Sequence, residues 1–172
     1  MNQINIQYYK TKYAEFILGS YDNKLCLLDF RYRKMRTTVD SRLKNGFNAL
    51  FVEQDDEILK ETRKQLDEYF DMRRKEFDIP LITVGTEFQK SVWDSLQKVP
   101  YGTTSTYLQL SKDIDNEKAV RAVANANGAN SIAIIIPCHR IIGSNGELTG
   151  YGGGLSVKKR LLELENNIFC NS

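Results

Sequence analysis

The stretch Ile132-Ala133-Ile134-Ile135-Ile136-Pro137-Cys138-His139-Arg140-Ile141-Ile142 constrains this chain most, because an apolar run stops abruptly at a proline, a thiol, an imidazole and a guanidinium. A β-branched run of this length predicts a buried strand or a short core segment, and Pro137 ends it by removing a backbone donor. Cys138 is thereby expected where buried scaffold meets a cleft. A cysteine among isoleucines is most often an inert core hydrophobe. Two neighbours weigh against that reading. His139 is the only histidine of the chain, so the one side chain that ordinarily titrates near neutrality stands beside the thiol. Arg140 adds a permanent positive charge, and cationic surroundings favour the thiolate.

Adjacent residues on an extended backbone point to opposite sides, so a turn or a bridging water has to connect Cys138 with His139. A histidine base also needs an orienting partner. Lys158 to Glu165 reads as a helix that delivers either Glu163 or Glu165 to the imidazole, and spacing alone does not choose between them.

Three blocks in order, Pro137-Cys138-His139-Arg140, Gly150-Tyr151-Gly152-Gly153-Gly154-Leu155 and Leu161-Leu162-Glu163-Leu164-Glu165, resemble the signature of the O6-alkylguanine-DNA alkyltransferases. Gly85-Thr86-Glu87-Phe88-Gln89 through Val92-Trp93, then Pro100-Tyr101-Gly102-Thr103-Thr104-Ser105-Thr106-Tyr107, resemble that family too. With the helical stretch Gln65 to Phe70 and an N-terminal hairpin, the likeness covers nearly the whole chain. It implies an α+β fold. Residues 1–84 are expected to form a small antiparallel sheet with a helix, ribonuclease H-like. Residues 85–172 are expected to form a mainly helical domain with a winged helix-turn-helix-like DNA-binding motif.

The resemblance implies direct-reversal DNA repair by a self-inactivating methyltransferase. An alkyl group leaves O6 of guanine, or O4 of thymine, and stays on Cys138. Glu165 is then the relay carboxylate for His139, which deprotonates Cys138 through a water. Tyr107 matches the tyrosine that pushes on a phosphate and protonates the leaving guanine. Arg121 matches the residue that fills the space of the flipped base. Thr104, Ser105, Ala122 and Asn125 complete the implied DNA surface, while Tyr151, Gly152, Gly153, Asn130, Arg140 and Lys158 line the implied pocket. The partner is double-stranded DNA, met from the minor-groove side without regard to sequence, by a monomer. No metal or organic cofactor is implied. Asn125, Asn127 and Gly128 stand where some relatives carry glycine, a larger apolar residue and a second arginine, which predicts weaker phosphate affinity.

The residues themselves support much of this. Three cysteines, Cys26, Cys138 and Cys170, make no disulfide framework, and with a single histidine they supply no convincing zinc site. Zinc-bearing relatives have N-terminal ligands that are missing here. Cys26 reads as a core strand residue and Cys170 as part of a mobile tail. Met1 to Lys12 has no apolar signal region and no segment approaches a membrane span, so the protein is expected in the cytoplasm. A formal charge of only +2 predicts modest, sequence-independent DNA binding with a shallow salt dependence, because each neutralised phosphate steepens it.

Tyr13 to Leu18 and Lys24 to Tyr32 predict a β-hairpin around Gly19-Ser20-Tyr21-Asp22-Asn23. The basic cluster Arg31-Arg33-Lys34-Arg36 reads equally as a nucleic-acid contact or as a guarded sheet edge. Asp55 to Phe77 has helical periodicity, with acidic residues at its start and Arg73-Arg74-Lys75 at its end. Leu81 to Val84 is an extended link that Gly85-Thr86 breaks. Thr86 is an N-cap for Phe88 to Lys98, in which Trp93 belongs to the core. Tyr107 to Ser111, a polar turn at Asp113 to Asn116, and Glu117 to Asn127 read as helix-turn-helix. The second helix is small all round, and Arg121 projects from it. Asn130 is expected to tie this motif to the reactive centre through its amide.

Overall fold

A computed structural model of the chain describes residues 2–166. It divides at Val84/Gly85 into two compact units. The first holds β1 (Asn2–Lys10), β2 (Glu15–Tyr21), β3 (Lys24–Phe30), α1 (Arg36–Phe47), β4 (Ala49–Glu53) and α2 (Glu57–Phe70). Its sheet has the order β3-β2-β1-β4. The first three strands are antiparallel, but β4 runs parallel to β1, with Ile4 opposite Phe51. The sheet is therefore mixed, not purely antiparallel as expected. The cause is α1, a crossover helix that carries the chain over the sheet and lets it return in the same direction.

The β2–β3 hairpin turns on Asp22 and Asn23 alone, both at positive φ (52° and 57°), the requirement of a tight two-residue turn. Gly19, Ser20 and Tyr21 belong to β2 rather than to the turn. At Gly19 a side chain would meet Leu27 Cβ at 2.9 Å, and the register shifts between Gly19 and Ser20. Both faces of the sheet are covered. Ile4, Ile6, Ile17, Cys26, Leu27, Val39, Leu43 and Ala49 form the core on one side. On the other, Leu59, Leu66, Tyr69 and Phe70 of α2 are buried, and Phe70 stacks on Tyr13 and Phe16. This double cover explains why β3 is apolar almost without alternation.

Asp56, not Asp55, caps α2 by accepting from the Leu59 amide. The helix ends at Phe70, seven residues before the end that periodicity indicates. Met72 at φ 60° turns the chain, the Met72 amide bonds Tyr69 O and the Arg73 amide bonds Glu68 O, the Schellman arrangement. Arg73, Arg74 and Lys75 thus lie beyond the helix. The upstream basic cluster is engaged internally: Arg33 and Arg36 each stand 3.1 Å from buried Asp29, and Arg31 pairs with Glu15 at 2.9 Å.

The second unit holds α3 (Glu87–Leu96), β5 (Ser105–Thr106), α4 (Tyr107–Asp113), α5 (Val120–Gly128), a 3-10 turn (Cys138–Arg140), β6 (Ile141–Ile142) and α6 (Leu155–Asn166). Thr86 caps α3 within a full capping box, since its hydroxyl accepts from the Gln89 amide and the Gln89 side chain accepts from the Thr86 amide. Trp93 is buried and donates through Nε1 to Ala126 O at 2.9 Å, tying α3 to α5. β5 and β6 pair in parallel. α4 and α5 form the helix-turn-helix, with Asp115 at φ 56° between them. α5 starts at Val120, three residues later than Glu117, and Ala119 provides no side-chain cap. Cys170 lies outside the described residues. No described helix is long and apolar enough to cross a membrane.

Candidate active site

The apolar run before Cys138 is not a strand. Ile134 has a φ of 71°, and successive short bonds wind the segment: Ile135 N to Ala133 O at 2.7 Å, Ile136 N to Ile132 O at 3.0 Å, Cys138 N to Ile136 O at 2.8 Å. A β-branched residue at positive φ costs roughly 1–2 kcal/mol. What stabilises the turn against that cost is Asn130. Its Nδ2 donates to Ile132 O (3.2 Å) and Ile136 O (2.8 Å), while its Oδ1 accepts from the Ile132 amide (2.9 Å). Buried backbone groups that a strand would have paired are satisfied by one amide side chain.

The turn delivers Cys138, His139 and Arg140 into the 3-10 segment, so the three do not alternate as on an extended chain. Cys138 is 8% exposed and His139 fully buried. α6 brings Glu165 to the imidazole, with Oε2 at 2.7 Å from Nε2. Glu163, four residues from Lys159 on the same helix, faces that ammonium at 3.9 Å instead. Arg140 clamps the same Glu165 carboxylate, Nε to Oε1 at 2.8 Å and Nη2 to Oε2 at 3.0 Å, and donates from Nη1 to Val99 O at 2.7 Å. Lys158 is buried and donates to Ile141 O (2.6 Å) and Thr149 O (2.8 Å).

Arg140 and Lys158 therefore each turn their charged groups onto oxygen partners within the scaffold. The reason is burial, since a charge with little water around it must find oxygen partners within the protein.

Burial also sets the protonation states. It pushes the His139 pKa below that of an ordinary imidazole, against the pull of Glu165. Burial alone would raise Glu165, but hydrogen bonds and positive charge from His139 and Arg140 outweigh it and hold the carboxyl at about 2. A carboxylate on Nε2 selects the tautomer that carries its proton there, which leaves Nδ1 as the acceptor. Nδ1 is buried and has no hydrogen-bond partner among the described residues. Cys26 differs in kind: burial pushes its thiol up to about 12, and an uncharged, inaccessible thiol is inert.

On α5, Arg121, Ala122, Asn125 and Gly128 are all exposed, the spacing of one helix face. Thr104 is exposed, Ser105 is half-buried in β5, and Tyr107 is half-buried at the first residue of α4. The Tyr107 hydroxyl accepts from Thr149 Oγ1 at 3.1 Å. Tyr151, Gly152 and Gly153 are half-buried in the loop before α6, and Gly154 takes a φ of 93°. Among the described residues no group of three or more His, Cys, Asp or Glu side chains could hold a metal ion.

Two family models match the chain. The ribonuclease-like domain of 6-O-methylguanine DNA methyltransferase matches residues 4–83, and the DNA-binding domain of the same family matches residues 87–167. The chain belongs to the 6-O-methylguanine DNA methyltransferase family. A methylated-DNA–protein-cysteine methyltransferase of Methanosarcina acetivorans is 53% identical over 114 residues, 66% of this chain and 73% of that one. The inducible enzyme of that name from Bacillus subtilis is 46% identical over 117 residues, covering 68% and 65%. Mycobacterium tuberculosis OGT in complex with DNA has a TM-score of 0.80 at 35% identity, covering 96% of this chain and 93% of its own.

Within this methyltransferase fold, sequence reasoning overlooked Val99 and Thr149. Val99 contributes only a carbonyl and Thr149 sits in a loop of glycines and polar residues, so neither carries a side-chain signal of its own.

Proposed function

We propose that this chain repairs DNA by direct reversal, transferring the alkyl group from O6 of guanine to Cys138 irreversibly and once per molecule. The buried pairing of His139 with Glu165 next to Cys138 carries the reading. It is the arrangement that activates a thiol. The relatives in Methanosarcina and Bacillus are named for transfer from methylated DNA to a protein cysteine, and the mycobacterial OGT was crystallised with DNA.

In this mechanism Nδ1 of His139 takes the Cys138 proton through a bridging water, and Glu165 steadies the imidazolium that results. The thiolate attacks the alkyl carbon, the S–C bond forms and the C–O6 bond breaks. Tyr107 supplies a proton to the departing guanine. A thioether has no easy leaving step, so the protein is consumed, and no metal or organic cofactor takes part. The O6 substituent lies within the stack, so the base must be flipped out; unstacking costs a few kcal/mol and less at a damaged pair. The exposed face of Arg121, Ala122 and Asn125 approaches from the minor groove, with Arg121 filling the vacated space, while Tyr151, Gly152 and Gly153 border the flipped base. Thr104 and Ser105 hold the backbone. O4-alkylthymine is a second substrate, and the protein works as a cytoplasmic monomer on double-stranded DNA of any sequence.

Intact-protein mass spectrometry after mixing with an oligonucleotide that carries one O6-methylguanine tests this directly. A gain of one methylene mass, mapped to Cys138 and missing in Cys138→Ser, is expected. Tight binding without a gain would make the chain a lesion sensor, and neither binding nor gain would end the repair reading.

A further inference from the structure

Thr149 belongs to the loop between β6 and α6, and it is held from two directions. Its carbonyl accepts from the buried Lys158 ammonium at 2.8 Å, and the same ammonium bonds Ile141 O at 2.6 Å, so the backbone at Thr149 is tied to the strand that follows the reactive turn. Its hydroxyl, on the other side, donates to the Tyr107 hydroxyl at 3.1 Å. Tyr107 lies at the first position of α4, which Thr106 caps by accepting from the Gln109 amide. The loop and the helix-turn-helix therefore meet at one pair of hydroxyls.

From this geometry we infer that Thr149 is a positioning residue for Tyr107 in alkyl transfer. The inference rests on the proton-donor role proposed for Tyr107 and deepens it. A tyrosine hydroxyl has one proton and two acceptor positions. With Thr149 donating into the phenol oxygen, the single Tyr107 proton stays directed away from Thr149 and available to the leaving guanine. When the Tyr107 O–H bond breaks, the electron pair stays on the phenol oxygen, where the Thr149 O–H already points; water later returns the proton. A donor fixed beforehand at the atom where charge develops favours that step without reorganisation. Lys158 makes the donor a fixed one, because a loop free to drift would lose the geometry.

The test is single-turnover transfer from an O6-methylguanine duplex, comparing Thr149→Val, Thr149→Ser, Tyr107→Phe and the Thr149→Val/Tyr107→Phe double variant. Valine keeps the branched shape and removes only the hydroxyl. At saturating DNA, Thr149→Val is expected to transfer roughly three- to tenfold more slowly, with DNA affinity unchanged. Thr149→Ser should recover the wild-type rate. In the Tyr107→Phe background the threonine change should have no further effect. Slowing of equal size in both backgrounds, or a wild-type rate in Thr149→Val beside a slow Tyr107→Phe, overturns the inference while leaving Tyr107 in its role. A wild-type rate in Tyr107→Phe removes that role and the inference with it.

Discussion

Nε2 of His139 and Oε2 of Glu165 lie 2.7 Å apart, with the two side chains no more than 1% exposed. Because Arg140 holds both oxygens of the same carboxylate, Glu165 is shared between the imidazole and a buried guanidinium. Glu165→Gln preserves shape but removes the charge, which leaves the Arg140 guanidinium buried without its counterion. The variant is expected to lose about 3 kcal/mol of stability and to transfer methyl about tenfold more slowly or worse. Urea unfolding and single-turnover kinetics measure the two effects, and wild-type stability would show that the buried pair is not what holds Arg140.

The pH dependence of stability follows from the same pair. In the unfolded chain His139 takes up a proton near pH 6.5, whereas burial in the fold holds its pKa lower. Between those values the unfolded state binds more protons, so stability falls as the solution is acidified and is fully present above about 6.5. Glu165, held at about 2 in the fold, adds a second loss in the same direction below the ordinary carboxylate range. His139 is the only histidine, so urea midpoints at about pH 7.5 and about pH 5.5 report on it with little interference. The lower midpoint is expected at the acid value; an equal or higher one would contradict a buried neutral imidazole.

Asn130→Ala leaves the Ile132 amide and the Ile132 and Ile136 carbonyls without their side-chain partner. An unsatisfied buried group costs about 1–3 kcal/mol. With partial relaxation the whole change should destabilise by roughly 2–4 kcal/mol, read from denaturant midpoints. A loss within experimental error would mean that the turn stands without the amide.

Arg121 is exposed on α5, and an exposed side chain of this kind contributes within about 0.5 kcal/mol to stability. Arg121→Ala is accordingly expected to fold normally. In the proposed reading, where the arginine offsets the few kcal/mol that flipping costs, transfer from duplex DNA should drop by about tenfold or more. Reaction with free O6-methylguanine base should be unchanged. A parallel loss on the free base would place Arg121 in the pocket chemistry instead of in flipping.

Where local chemistry decides structure, the chain could be read directly. Thr86 and Gln89 stand at capping-box spacing and form one, and Trp93 had an apolar stripe to belong to. The helix-turn-helix was legible in outline, three residues off at the start of α5, because the methyl group of Ala119 cannot cap the helix and so does not mark the boundary. The isoleucine run has the composition of a strand or of a short core segment, and it is the second, because Asn130, two residues before it, ties it into a turn. α1 was missed for a different reason. Only Val39 and Leu43 are buried in it, too sparse a stripe to stand out, and without α1 the parallel placement of β4 could not be foreseen. At the site, the Cys138-His139-Arg140 block announced itself, but the division of labour did not. That Arg140 faces Glu165 and Lys158 faces two carbonyls depends on how α6 packs, which no spacing in the sequence records.

Between the end of α5 at Gly128 and the 3-10 turn at Cys138 lie nine residues without a glycine, wound tight by Asn130. The consequence is one of tolerance, in the machinist's sense. The helix face that carries Arg121 and the tip that carries the thiol are joined by this short, internally bonded mount, so in the proposed repair reading the seating of the first governs the depth of the second. Under that same reading, a flipped base is then gauged by how far it reaches toward Cys138.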